Sequence, residues 1–300
     1  MCGIVGYIGE KDAFPILIKG LQRLEYRGYD SAGIALLNGE GKLNLGKKRG
    51  KVSDLLEHIG SDHALHGYAG IGHTRWATHG PPNDINAHPH QARSGSLALI
   101  HNGIIENYQT IRKSLEANGH RFISDTDTEV LVHLIEEVQK RSKSTICEAV
   151  QIALKEVEGA YAIVVIDENE PEVMIAARKS SPLVIGVGEE GEYFVGSDAT
   201  PIIEYTNNVI YLDDEEVAVM HRSMGLTIRN LHNVLVTPEV HELELQIEEL
   251  EKGGYEHFML KEIFEQPRSI FDSIRGRMSL HRGEIRMSGI DDHWSRWAKA

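Results

Sequence analysis

Cysteine is scarce: the 300 residues hold two, Cys2 and Cys147. Two thiols are too few for a disulfide framework, and free thiols suit a reducing, cytosolic setting. Basic residues are the minority, 31 Lys and Arg against 45 Asp and Glu, for a formal net charge of −14. A chain so acidic repels phosphates instead of displacing their counterions, which argues against nucleic acid as a partner. Nowhere do about 18 apolar residues run together, so no helix is expected to span a membrane. The first ten residues, MCGIVGYIGE, lack the basic flank and the cleavage signature of a secretory leader. With 41% hydrophobic and 25% charged residues, the remainder is ordinary globular composition, enough for one large core or two modest ones.

The elements follow a readable order. Residues 3–8 are β-rich, and Asp12 is placed to cap a helix in which Phe14, Leu17, Ile18, Leu21 and Leu24 recur at helical spacing. Residues 27–30 read as a loop. Strands at 32–37 and 43–47 join through an Asn38–Gly39 turn, and 52–59 reads as a short helix. Strands at 70–77 and 96–101 flank a polar loop holding Pro81, Pro82 and Pro89. Helices are expected at 108–118, 128–140 and 146–158, then strands at 161–166, 173–177, 183–187, 192–195, 209–212, 217–221 and 226–229. Strands, then helices, then many strands favour an α+β layered domain over a doubly wound parallel sheet. Residues 2–240 are taken as one domain, and the glutamate-rich 241–254 as a linker. Residues 255–300, with one helix at 258–264, are too few for a second domain.

Residue 2 carries the first chemical signal. A side chain as small as that of Cys2 lets an aminopeptidase remove Met1, exposing an α-amine with an unperturbed pKa of about 8. One residue then holds both a thiol nucleophile and its base. The alternative is a small apolar residue opening a buried strand. Arg75 is a carboxylate ligand or a surface ion-pair partner. Asn102–Gly103 is a pair of oxyanion donors or a hairpin turn, and a glycine that turns the chain can also expose its N–H. Asp127 is a ligand or a favourable charge at a helix start, with Asp125 its rival. Among sixteen histidines, His63–x–x–His66 and His88–x–His90 have the closest spacings. No Cys or His–Glu–x–x–His pattern supports them, so no metal site is expected. Gly186–Val–Gly188–Glu–Glu–Gly191 matches a dinucleotide fingerprint by letter, but a strand follows where a helix is needed. It reads as a hairpin turn, and no cofactor is expected. Cys147, beside Ile146, Val150, Ala153, Leu154 and Val157, reads as a packed thiol.

Four stretches join the opening Cys–Gly–Ile–Val–Gly: LEYRGYDSAG at 24–33, GHTRWATHG at 72–80, HNGIIEN at 101–107 and SDTDTE at 124–129. Together they closely resemble the glutaminase half of the glutamine–fructose-6-phosphate aminotransferases, enzymes of amino-sugar synthesis, and Tyr255–Pro267 resembles the start of that family's sugar-isomerase half. The related amidophosphoribosyltransferases share the opening Cys–Gly but not the Arg–Trp–Ala–Thr–His run.

The resemblance implies the four-layered αββα sandwich of N-terminal-nucleophile hydrolases. It implies that Cys2 attacks the side-chain amide of L-glutamine, forms a glutamyl thioester and releases ammonia. Asn102, by its side chain, and Gly103, by its backbone N–H, form the oxyanion hole. Arg75 binds the substrate α-carboxylate and Asp127 its α-ammonium. Thr78 and His79 belong to the loop that closes over substrate, Trp76 helps gate ammonia, and Arg27 and Gly28 lie in the loop beside the nucleophile. Fructose-6-phosphate is reached only through an isomerase half that these residues do not contain, and full-length members are homo-oligomers. The chemistry asks for the same residue types: an acyl-transfer oxyanion needs fixed donors, and a free amino acid presents a carboxylate for Arg and an ammonium for Asp. Two rivals stay open: a glutaminase serving another acceptor such as phosphoribosyl pyrophosphate, and a folded module without activity.

Overall fold

Strand β1 (Gly3–Ile8) is buried on both faces and divides its side chains between two cores. Ile4 and Ile8 enter a core with Ala35, Ile71, Ala98, Val164 and Ala176, whereas Val5 and Tyr7 pack with Leu17, Leu21 and Leu24. This is the period-two alternation of a strand covered on both sides. Each fully buried aliphatic side chain of this kind contributes about 1.5–3 kcal/mol. The structure, a computed structural model, describes residues 2–28, 30–60, 65–243, 254–274, 278–279 and 284–285. They divide into two units, Met1–Glu244 and Leu245–Ala300.

In the first unit β1 is followed by β2 (Ser31–Leu37), β3 (Leu43–Arg49), β4 (Ala69–Arg75), β5 (His90–Gln91), β6 (Leu97–Ile105), β7 (Gly159–Asp167) and β8 (Val173–Lys179). Then come β9 (Val184–Val187), β10 (Tyr193–Gly196), β11 (Asn208–Tyr211), β12 (Glu216–His221), β13 (Gly225–Asn230), β14 (Leu235–Val236) and β15 (His241–Glu242). They form an eight-stranded sheet, β15-β11-β9-β10-β1-β4-β2-β3, and a seven-stranded sheet, β14-β13-β12-β8-β7-β6-β5. Helices α1 (Ala13–Leu24) and α2 (Val52–Ile59) cover the outer face of the first sheet. Helices α4 (Asp127–Ser142) and α5 (Ile146–Lys155) cover the outer face of the second, with α3 (Tyr108–Ala117) packed on α4. The inner faces meet in the core that holds Ile4. The layers therefore run αββα.

Local chemistry starts the helices where the site needs them. The Asp12 side chain accepts from the Phe14 N–H at 3.2 Å to cap α1. Thr126 caps α4 by accepting from the Glu129 N–H at 3.3 Å, so Asp127 becomes the first residue of that helix. Strand β6 runs past the expected end at residue 101 because it stays paired with β7, Asn102 opposite Ala162 and Gly103 opposite Tyr161. Asn102–Gly103 is therefore strand and not a turn. Gly103 has φ 138°, and a Cβ there would lie 2.0 Å from the Ala160 carbonyl oxygen, so the position admits only glycine. The Gly186–Gly191 stretch closes the β9–β10 hairpin, with the Gly188 N–H donating to the Glu192 carbonyl at 2.8 Å.

The second unit holds α6 (Phe258–Ile274), which continues through Pro267 beyond the expected 258–264, and a two-stranded pair, β16 (Met278–Ser279) with β17 (Glu284–Ile285). Most of the expected linker, residues 244–253, and His63 lie outside the described residues. No helix among the described residues is long and apolar enough to cross a membrane.

Candidate active site

The antiparallel register of β1 and β4 sets Gly3 opposite Thr74. Cys2, one residue before β1, therefore meets Arg75 and Trp76 where β4 ends. The Trp76 N–H donates to Cys2 Sγ at 3.1 Å, and Sγ lies 3.5 Å from the Trp76 carbonyl oxygen. Burial pushes the Cys2 thiol above its ordinary pKa. The Trp76 N–H and the Arg75 guanidinium pull it back, and the Asp30 carboxylate adds to the rise. Asp30 is held in place by the Ala77 N–H at 2.8 Å.

Asn102 faces the nucleophile from β6. Its Nδ2 donates to the Cys2 carbonyl at 3.1 Å, and its Oδ1 lies 2.9 Å from His73 Nε2. The same His73 nitrogen is 3.1 Å from the His101 carbonyl oxygen. Both neighbours are acceptors, so Nε2 carries the hydrogen, which fixes the orientation of the Asn102 amide with its N–H groups toward Cys2. Burial lowers the His73 pKa to about 3, so the ring is a neutral donor at working pH.

The charged pair stands on two other elements. Arg75 is 4% exposed at the end of β4, so it is no surface ion-pair residue. Its Nη2 donates to the His79 carbonyl, while Nη1 is buried without a hydrogen-bond partner among the described residues. Such an orphaned donor is costly unless something arrives to accept from it. Asp127, also 4% exposed, accepts from the Ile105 N–H at 2.8 Å at the start of α4, where the helix favours negative charge. Its rival Asp125 is exposed and accepts from Asn86 Nδ2 at 3.2 Å, away from the site.

These groups line one cavity of 440 Å³. Cys2, Arg75, Trp76, Thr78, His79, Asn102, Gly103 and Asp127 all border it; Gly28 does not. The backbone of Arg27 belongs to the 3-10 turn Glu25–Arg27, and Gly28 is buried with its N–H on the Glu25 carbonyl at 3.1 Å. Trp76 keeps 55% of its surface exposed.

Sequence reasoning missed His88, His101, Thr126, Thr128 and Ser197 in the same wall. The rings of His73 and His88 are 4.2 Å apart and those of His88 and His90 4.9 Å. Burial drives His88, His90 and His101 below the ordinary histidine pKa; Lys47 adds to this at His90, and the Asp127 carboxylate opposes it at His101. The His88–x–His90 spacing was visible but looked like metal spacing. His101 could have been suspected from its place beside Asn102.

A layered αββα domain with a cysteine heading a central strand, fixed amide donors beside it and a buried Arg and Asp across the cavity defines a class, the glutamine amidotransferases. Residues 50–244 match the glutamine amidotransferase domain family, and the chain belongs to it. Glutamine–fructose-6-phosphate aminotransferase (isomerizing) from Bacteroides thetaiotaomicron is 56% identical over 98% of this chain and 47% of that protein. The Chlorobaculum tepidum protein of the same name is 52% identical over 100% of this chain and 49% of its own length. The chain thus spans about half the length of the curated relatives it matches. Among solved structures, the glutamine phosphoribosylpyrophosphate amidotransferase from B. subtilis aligns with a TM-score of 0.65 at 30% identity, over 77% of this chain and 49% of that one.

Proposed function

We propose that this chain hydrolyses L-glutamine to glutamate and ammonia at Cys2, and that the ammonia serves fructose-6-phosphate at a site outside these 300 residues. The observation that carries the reading is one cavity holding four complementary groups. These are the Cys2 thiol, the Asn102 amide, the unpartnered Arg75 Nη1 and the buried Asp127 carboxylate. A ligand with a carboxylate and an ammonium at one end and an uncharged carbonyl at the other answers all four.

The chemistry follows from the geometry. With Met1 removed, the Cys2 α-amine takes the proton from Sγ, which attacks the amide carbon of glutamine. The oxyanion is held by the Asn102 Nδ2 and Gly103 N–H donors. Collapse breaks the C–N bond, the ammonium proton passes to the leaving nitrogen, and ammonia departs from a thioester. Water then gives its proton to the same amine and attacks the thioester carbonyl. Collapse breaks the C–S bond, Sγ leaves and regains the proton held by the amine, and glutamate departs. A thiol whose pKa is raised needs such a base at hand. Arg75 and Asp127 hold the backbone end of the substrate. Thr78 and His79 close the cavity, Trp76 gates it, and the turn through Arg27 and Gly28 backs the nucleophile. The fructose-6-phosphate acceptor rests on the names of the relatives with 56% and 52% identity. On this reading residues 2–240 are the glutaminase domain, and 255–300 begin the sugar-binding half.

The test is to incubate the purified chain, begun at Cys2, with glutamine and fructose-6-phosphate and to assay glutamate, ammonia and amino sugar separately. Glutamate and ammonia in equal amounts, without amino sugar, are expected. A glutamine-analogue electrophile should label Cys2 and spare Cys147. Absence of glutamate from the folded chain, or label on Cys147, would overturn the assignment.

A further inference from the structure

Away from the cavity, the α3–α4 layer brings two buried histidines together. His120, in the segment leaving α3, and His133, on α4, place their Nδ1 atoms 3.3 Å apart. Each ring has its other nitrogen against a carboxylate: His120 Nε2 lies 3.0 Å from Glu137 Oε2, and His133 Nε2 lies 3.6 Å from Glu129 Oε1. An ionised carboxylate only accepts, so His120 Nε2 carries a hydrogen, and the Glu129 carboxylate favours the same tautomer at His133. That tautomer on both rings turns the two Nδ1 lone pairs toward each other across 3.3 Å. That arrangement is repulsive unless a cation lies between them.

A carboxylate oxygen of Glu136 completes the cluster, with the three ligand atoms within 4.8 Å of one another. Glu136 is 2% exposed. Its Oε1 accepts from the Ser94 N–H at 2.8 Å and pairs with Lys140 at 3.1 Å, whereas its Oε2 is buried without a partner among the described residues. Three glutamates, Glu129, Glu136 and Glu137, thus crowd two imidazoles; Lys140 and Arg141 reach Glu136 and Glu137 from the exposed side, and Lys47 faces Glu129 from within.

We propose that His120, His133 and Glu136 bind one divalent transition-metal ion, zinc by their chemistry. Two nitrogens and one oxygen are a common zinc set, and Zn–N bonds of about 2.0–2.1 Å on a tetrahedron put the nitrogens about 3.3–3.4 Å apart. Glu137 and Glu129 then stand where outer carboxylates orient metal-bound imidazoles. Water takes the fourth position. The ion ties the exit of α3 to α4, the helix that carries Asp127 at its start, so its role is to hold the helical layer and not to take part in the chemistry. Sequence spacing hides the site because His120 and His133 meet only through packing.

The experiment uses the untagged full chain bearing Cys2→Ala, which removes the competing thiol. After dialysis against chelator, zinc is titrated by calorimetry, bound metal is counted by elemental analysis, and the thermal midpoint is measured with and without zinc. One zinc per chain and a raised midpoint are expected. Glu137→Gln should weaken binding by about 10–100-fold through loss of imidazole orientation. His120→Asn, which leaves α4 untouched, should abolish stoichiometric uptake, and His133→Asn should do the same where it folds. Cobalt in place of zinc should show the visible absorption of a tetrahedral nitrogen–oxygen site. Uptake no greater than that of His120→Asn, an unmoved midpoint, or undiminished binding in the His120→Asn/His133→Asn double variant would overturn the site. So would imidazole nitrogen resonances unchanged by zinc, which would mean that a shared proton fills the gap.

Discussion

The two cysteines sit in regions of similar depth and opposite consequence. Both are partly buried. Around Cys147, the second residue of α5, the neighbours are the core of Ile146, Val150 and Leu154. Burial pushes that thiol up to about 11. Arg229 opposes the rise, and Glu148 and Glu170 add to it. Around Cys2 burial acts in the same direction, but a backbone N–H points at the sulfur, a guanidinium stands beside it and an oriented amide faces it. Burial alone yields an inert thiol. The Cys2 region adds a proton acceptor and donors for developing charge, and these must come from several elements at once: β1 begins here, β4 ends here and β6 passes through.

The largest expected effect separates the regions outright. Cys2→Ala should fold, with an unchanged thermal midpoint within a few degrees, yet lose glutamate release by a factor of ~10⁴ or more, since no second thiol borders the cavity. Residual hydrolysis above that level would put the nucleophile elsewhere and erase the contrast. Next comes the donor. Asn102→Ala should lower kcat by roughly 10²–10³-fold with little change in KM, because the lost interaction acts in the transition state. Steady-state kinetics on glutamine decide it; a loss appearing in KM alone would reassign Asn102 to substrate binding.

Arg75→Ala and Asp127→Asn should behave the other way, raising KM by about 10–100-fold while kcat falls by less. Arg75 has a second duty that sharpens the comparison: it is one of the groups holding the Cys2 thiol down. Its removal should therefore also shift the rise of kcat/KM to higher pH, whereas Asp127→Asn should leave that limb in place. Identical pH profiles for the two variants would show that Arg75 acts on substrate alone.

How much of this was legible depended on whether local pattern or long-range register set each feature. The α1 cap at Asp12 and the strand 3–8 follow from spacing over a few residues, and they appear where expected. The motif residues from Arg75 to Asp127 converge on one cavity. The extension of β6 through Asn102 and Gly103 was not legible, because a local Asn–Gly pair reads as a turn while pairing with β7 keeps it straight. The His73–Asn102 contact links residues 29 apart in sequence and depends on two strands in different sheets. The ring contacts of His73, His88 and His90, one tilted and one edge-on, depend on the fold in the same way. Spacing alone suggested metal ligands, a reading no further pattern supported, whereas the structure places buried rings whose pKa values are lowered beside the nucleophile.

Those rings make the Cys2 region the acid-sensitive one. Burial places the His73 pKa at about 3, below the unfolded value of about 6.5. The unfolded chain therefore binds a proton that the folded chain refuses. The stability of the neutral ring is fully present above pH 6.5 and is lost as pH falls toward 3. Between pH 7 and 5 this amounts to on the order of 2 kcal/mol from His73 alone, and His88, His90 and His101 are displaced in the same direction. Urea midpoints at the two pH values should fall accordingly, and amides of β1, β4 and β6 should exchange faster before those of α5 do. A flat profile, or α5 opening first, would contradict the placement of the buried histidines.

The smallest effect is expected at the other thiol. Cys147→Ala removes one sulfur from a residue that is partly exposed and touches the core from its edge. The loss of apolar contact costs at most about 1 kcal/mol for a group of this size. Alanine recovers part of that, because it is the better helix former by up to about 0.7 kcal/mol inside α5. The two terms oppose, so the net change in stability should stay within about 1 kcal/mol, readable as a shift of a few degrees or less in thermal midpoint. Glutamate release should be unchanged, because Cys147 does not border the cavity. Its reaction with a simple alkylating agent should rise about tenfold per pH unit up to the thiol pKa of about 11, following the thiolate fraction. Labelling of Cys2 by a glutamine analogue should instead level off near the pKa of its α-amine. Parallel pH dependences at the two cysteines would show that Cys2 reacts as an ordinary buried thiol, without the base that the proposed chemistry assigns to its own amine.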